Sequence, residues 1–141
     1  MSGERQCSRA LRILVVDNHP DTAEIVAIAL GIAGHDPRAF TNGPDAIRAA
    51  AESWPDVVIL DVRMPNMNGY EVAAALLARL DKLRPLLIAH STADRPDDIR
   101  KCREAGFDHC LGKPADLDEL LDIIARPRPA PLQPKHATSA D

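Results

Sequence analysis

The run Val57-Val58-Ile59-Leu60 is apolar at four consecutive positions and ends in Asp61, a pattern that constrains the fold more than any other feature of the chain. A strand with one wet face alternates apolar and polar residues, whereas a strand apolar throughout needs cover on both faces, as strands of a parallel sheet have. Residues 11–16 share the design and end in Asp17-Asn18. Residues 86–89 run through His90 into Ser91-Thr92, and a fourth candidate ends at Lys113. In an open parallel sheet the carboxyl ends of the strands lie along one edge, and ligands bind there where the strand order reverses. Acids, hydroxyls and a lysine are therefore expected to converge.

Segments of helical period separate these runs. Residues 21–33 place Ile25, Ile28, Ala29 and Ile32 at spacings of three and four, which predicts a first helix buried along that face, with Gly34 as its end. A short strand over 36–40 and an alanine-rich helix over 44–53 follow, and Trp54-Pro55 breaks the chain before the Asp61 strand. Beyond Asn68-Gly69 the pattern predicts helices over 70–80, 96–105 and 116–125 and strands over 86–90 and 107–111. Five strand and helix pairs suggest a flavodoxin-like, doubly wound α/β fold with a five-stranded parallel sheet in the order 2-1-3-4-5. Asp17 and Asp61 then face each other across the switch point, with Ser91 and Lys113 on the other flank.

Composition narrows the function. The 141 residues, 45% hydrophobic, suit one domain with a real core. A net charge of -4 argues against direct nucleic-acid binding, which needs clustered cations. Cys7, Cys102 and Cys110 are odd in number and lack zinc spacing, as expected of a reduced, cytoplasmic protein. Residues 1–10 are polar and read as a flexible start; no stretch is long and apolar enough for a membrane span. Residues 127–141 are proline-rich and polar and read as a disordered tail, which leaves 11–126 as the domain. Gly112-Lys113 lacks the rest of a P-loop, and the five histidines, His19, His35, His90, His109 and His136, show no metal-ligand spacing. His90 and His109 read as ordinary residues near strand ends.

The chain resembles the receiver domain of two-component response regulators. The resemblance rests on Val15-Val16-Asp17-Asn18, on Asp61-Val-Arg-Met-Pro-Asn-Met-Asn-Gly69, on Ser91-Thr92, and on Ala105-Gly-Phe-Asp with Gly112-Lys113-Pro114, in the family's order and spacing. It covers roughly residues 11–125. It implies that Asp61 accepts a phosphoryl group from a histidine kinase or histidine phosphotransfer protein, with no turnover of an external substrate. It further implies that Asp17, Asn18, Asp61 and the backbone carbonyl of Arg63 hold Mg2+. By the same resemblance Lys113 pairs with the acceptor and the phosphoryl oxygens, and the Ser91 hydroxyl bonds the new phosphate.

Three departures from the family pattern bear on function. Asn18 stands where the family has a second, metal-coordinating acid; its amide oxygen keeps the geometry but not the charge. Thr92 and Arg63 sit where they would obstruct the water that hydrolyses the acyl phosphate, which implies a long-lived phosphorylated state. Cys110 replaces the aromatic residue that swings inward in many receivers, and reads as a small core residue. The output then passes to a protein target through the fourth helix, fifth strand and fifth helix, from a stand-alone receiver that is a monomer or dimerises on phosphorylation. The alternative is a pseudo-receiver, a binding module independent of phosphorylation because Asn18 spoils the metal site.

Overall fold

The computed structural model describes residues 10–91, 96–113 and 116–126. The expected flexible start up to residue 9, the tail over 127–141, Thr92 and Pro114 lie outside the described residues. Five strands, β1 (Arg12–Val16), β2 (Asp36–Phe40), β3 (Val57–Leu60), β4 (Leu86–Ser91) and β5 (His109–Gly112), alternate with five helices. The helices are α1 (Pro20–Ile32), α2 (Gly43–Glu52), α3 (Gly69–Leu77), α4 (Pro96–Glu104) and α5 (Leu117–Ala125). All strand pairs are parallel, and the spatial order is β2-β1-β3-β4-β5. This is the expected flavodoxin-like order.

The apolar strands divide their side chains between two cores with a period of two. Leu14, Val16, Val58, Leu60, Leu87 and Ala89 pack with α2, α3 and α4. Ile13, Val15, Val57, Ile59 and Ile88 face the other way, toward α1 and α5. Because both faces are covered, no polar residue interrupts Val57–Leu60, all of them fully buried.

The first helix corrects one expectation. Its buried residues are Ala23, Val26 and Leu30, whereas Ile25, Ile28 and Ile32 are exposed, Ile32 by 83%. The helix is apolar on two opposite stripes, so periodicity alone does not choose between them. Attachment to β1 chooses, turning the stripe that begins with the small Ala23 toward Ile13 and Val15.

Two boundaries also move. Helix α3 ends at Leu77 rather than 80, because Arg79 and Leu80 turn their N–H groups back to Leu76 and Ala78, leaving Leu80 exposed. Strand β5 begins at His109 rather than 107. Phe107 is instead buried before the strand, and the Asp108 carboxylate accepts from the Leu87 N–H and from Arg84. Gly106, at φ 102°, makes the left-handed turn into this segment.

Candidate phosphoryl-accepting site

Strand register brings the two acids together. Val16 of β1 pairs with Leu60 of β3, so the next residues, Asp17 and Asp61, leave adjacent parallel strands side by side. Their backbones stay tied to the sheet edge: Asp17 N–H donates to the Phe40 carbonyl and Asp61 N–H to that of Val16. Both side chains are buried, although a carboxylate in that position demands a partner. Lys113, directly after β5, supplies it. Its Nζ lies 2.6 Å from Asp17 Oδ2 and 3.2 Å from Asp61 Oδ2.

Each carboxylate also accepts from the loop that follows it. His19 N–H donates to Asp17 Oδ1 at 2.9 Å, and Arg63 N–H donates to Asp61 Oδ1 at 3.0 Å, both two residues downstream. The loop after Asp61 is shaped by its own sequence. Asn66 adopts φ 72°, a left-handed conformation that asparagine tolerates. Asn68 then caps α3 in a reciprocal box with Glu71, each side chain accepting from the other's backbone N–H at 2.9 Å.

The two acids diverge in acidity. Burial works against the charge of Asp17, but Lys113 and the His19 N–H outweigh it and hold this carboxyl below its ordinary value. At Asp61 burial prevails and raises the carboxyl above that value. The Asp17 charge adds to the rise, while the Arg63 N–H and Lys113 oppose it.

Two carboxylates and one ammonium leave the cluster with a net negative charge, and Asn18 adds a further donor. Its buried Oδ1 has no hydrogen-bond partner among the described residues. An orphaned oxygen beside two acids fits an oxygen-seeking divalent cation. Asp17 and Asp61, with the Asn18 oxygen, thus offer the kind of donors such a cation takes.

The remaining expected residues are less tightly gathered. Ser91 ends β4 in register with Gly112, one residue before Lys113, so its backbone borders the crevice; its side chain lies outside the described set. Cys110 is half-buried against the α2–α4 core, its Sγ 3.5 Å from that of Cys102 in α4. Two histidines belong to the site's surroundings although the sequence reading set them aside. His19 Nδ1 is 3.1 Å from Asp17 Oδ1, and a ligand atom from each of Asp17, His19 and Asp61 lies within 4.8 Å of the others. His90 is buried, its Nε2 has no partner among the described residues, and burial, then the Lys113 charge, lower its pKa against the opposing effect of Asp17. Position two after Asp17 was the available signal for His19; an imidazole inside an apolar strand was the signal for His90.

The chain is similar to several known proteins. The family model described as the response regulator receiver domain matches residues 13–125. The chain is 34% identical over 115 residues to the sensor histidine kinase RcsC of Salmonella typhi, covering 82% of this chain and 12% of that protein. It is 35% identical over 109 residues to the transcriptional regulatory protein KdpE of Mycobacterium tuberculosis, covering 77% and 47%. The chain thus spans less than half the length of these relatives. Among solved structures, the chemotaxis protein CheY4 of Vibrio cholerae superposes with a TM-score of 0.77 at 25% identity, covering 82% of this chain and 96% of that one. Among the described residues, no helix is long and apolar enough to cross a membrane.

Proposed function

Because the chain belongs to the response regulator receiver domain family of two-component signalling, we propose that Asp61 accepts a phosphoryl group from a histidine kinase or histidine phosphotransfer protein. The observation that carries this reading is the Lys113 ammonium held between Asp17 and Asp61, at 2.6 and 3.2 Å. It spares Asp61 the full cost of a buried charge and leaves its carboxylate usable as a nucleophile. An Asp61 oxygen attacks phosphorus in line, the phosphorus–nitrogen bond of the donor breaks, and the electron pair leaves with the donor imidazole, which is then protonated. Such a transfer asks the protein chiefly for alignment and for neutralisation of the phosphoryl oxygens.

Asp61 Oδ1 is fixed by the Arg63 N–H, which orients Oδ2 toward Lys113. Asp17, Asn18, Asp61 and the Arg63 carbonyl would hold Mg2+, whose positive charge would offset that of the carboxylates and the phosphoryl oxygens. Lys113 would pair with the new phosphate. Ser91, at the end of β4, is the residue whose hydroxyl would bond it, with Thr92 and Arg63 setting how readily water reaches the acyl phosphate. The phosphorylated state then alters the α4–β5–α5 surface offered to a protein target, where Cys110 packs in place of an aromatic switch.

The test is the intact mass of the protein after exposure to acetyl phosphate, with and without Mg2+, beside Asp61→Asn. A Mg2+-dependent gain of one phosphoryl group, lost in the variant, is the expected result. No gain in the folded protein, from acetyl phosphate or from a phosphohistidine donor, would identify a pseudo-receiver.

A further inference from the structure

We propose that His19 is a metal ligand, and that its imidazole turns this site from a magnesium site toward one that prefers a first-row transition cation such as Mn2+. The inference rests on the proposed reading in taking the Asp17–Asp61 crevice as the place where a cation binds. Four observations carry it. His19 Nδ1 lies 3.1 Å from Asp17 Oδ1, so one ring nitrogen already sits beside the acid. Ligand atoms of Asp17, His19 and Asp61 fall within 4.8 Å of one another. Donors about 2.1 Å from one octahedral ion stand about 3.0 Å apart when cis and about 4.2 Å when trans, so His19 Nδ1 and Asp17 Oδ1 already have a cis spacing, and Asp61 has at most about 1.8 Å to close.

The third observation is Asn18, whose buried Oδ1 has no partner among the described residues and offers an oxygen without charge. The fourth is exposure. The His19 side chain is 66% exposed, so its ring can leave Asp17 for a metal with little desolvation or repacking.

Together these change the chemistry of the donor set. Hard Mg2+ gains most from anionic oxygens and holds its waters tightly, and here it meets one fewer acid. A neutral imidazole adds little for Mg2+ but favours first-row transition cations, whose affinities for nitrogen donors rise along the series from Mn2+. The loss at position 18 and the gain at position 19 therefore point the same way.

Mn2+ is the probe of choice, because its binding is read directly by electron paramagnetic resonance and without reference to phosphorylation. Dissociation constants for Mn2+, and for Mg2+ by competition, would be measured on the full chain, on His19→Ala and His19→Gln, and on Asp17→Asn. Pulsed resonance would record nitrogen coupling to the bound ion. The expected result is an imidazole nitrogen coupling in the wild type that disappears in both His19 variants. The preference for Mn2+ over Mg2+ should fall about tenfold, the scale on which lost ligand-shell partners lower metal affinity. Nitrogen coupling and selectivity unchanged in the His19 variants, with binding still lost in Asp17→Asn, would overturn the role of His19 and leave the phosphoryl-accepting site intact. Mn2+ binding that ignores Asp17→Asn as well would overturn the cation site itself.

Discussion

A β-carbon on Gly69 would fall 2.6 Å from the carbonyl oxygen of Asp61 and 2.7 Å from the α-carbon of Val62. Both are backbone atoms, so neither can yield by a side-chain rotation. The glycine at the end of the Asp61–Gly69 motif thus lets the start of α3 press against the Asp61–Val62 peptide. Its N–H completes the contact by donating to the Val62 carbonyl.

Gly69→Ala should therefore act on stability and site together. The overpacking is expected to cost about 1–3 kcal/mol in denaturant unfolding. Because relief requires moving the Asp61 backbone, the rate of phosphorylation should fall even where the variant remains fully folded. A variant of wild-type stability and rate would show that the loop absorbs the methyl group elsewhere.

Lys113→Met leaves Asp17 and Asp61 buried with no ammonium between them. Unfolding free energy is expected to drop by about 3 kcal/mol, the low end of what breaking a buried pair costs. Adding Asp61→Asn removes the repulsion, so the double variant should regain most of the loss. A double-mutant cycle with no coupling between the two sites would contradict the arrangement.

The inverted face of α1 is tested by comparing two of its apolar residues. Leu30→Ala, at a fully buried position, should cost about 2–5 kcal/mol. Ile32→Ala, at a position 83% exposed, should change stability by no more than about 0.5 kcal/mol. The opposite ranking would restore the face that periodicity suggested.

His90 gives a dependence on pH. Its folded-state pKa lies below the ordinary imidazole value of 6.5, first because of burial, so as pH falls through that value the unfolded chain takes a proton that the folded one refuses. Stability contributed by neutral His90 is therefore complete above that pH and is lost as the solution is acidified. His35 is lowered by burial as well and adds to the same trend. His90→Leu should lose less stability than the wild type between neutral and mildly acidic pH, in chemical denaturation at fixed ionic strength. Parallel curves would mean that His90 takes up its proton equally well in the folded and unfolded chain.

Most of the architecture was legible from the chain because its strands are apolar on both faces and end in polar residues. Those two facts give parallel pairing, two covering layers and a polar edge. The placement of Asp17, Asp61 and Lys113 followed from the order of elements, since register carries the residue after each strand to that edge. Helix α1 was misread because Ala23, Val26 and Leu30 compete with a bulkier opposite stripe, and only attachment to β1 decides between them. The start of β5 was misplaced because Phe107 is apolar for packing before the strand, while Asp108 is held by Leu87 and Arg84 from other elements. His19 was set aside because the acids near it are one two residues back in the turn and one 42 residues away, a set that no histidine spacing encodes.

The claim that Asp61 carries the phosphoryl group is tested most directly by locating the modification. After reaction with a phosphohistidine donor and Mg2+, borohydride reduction of the acyl phosphate and peptide mass spectrometry should find homoserine at position 61. Homoserine at another aspartate, or an unmodified position 61 in protein that has gained a phosphoryl group, would contradict the account.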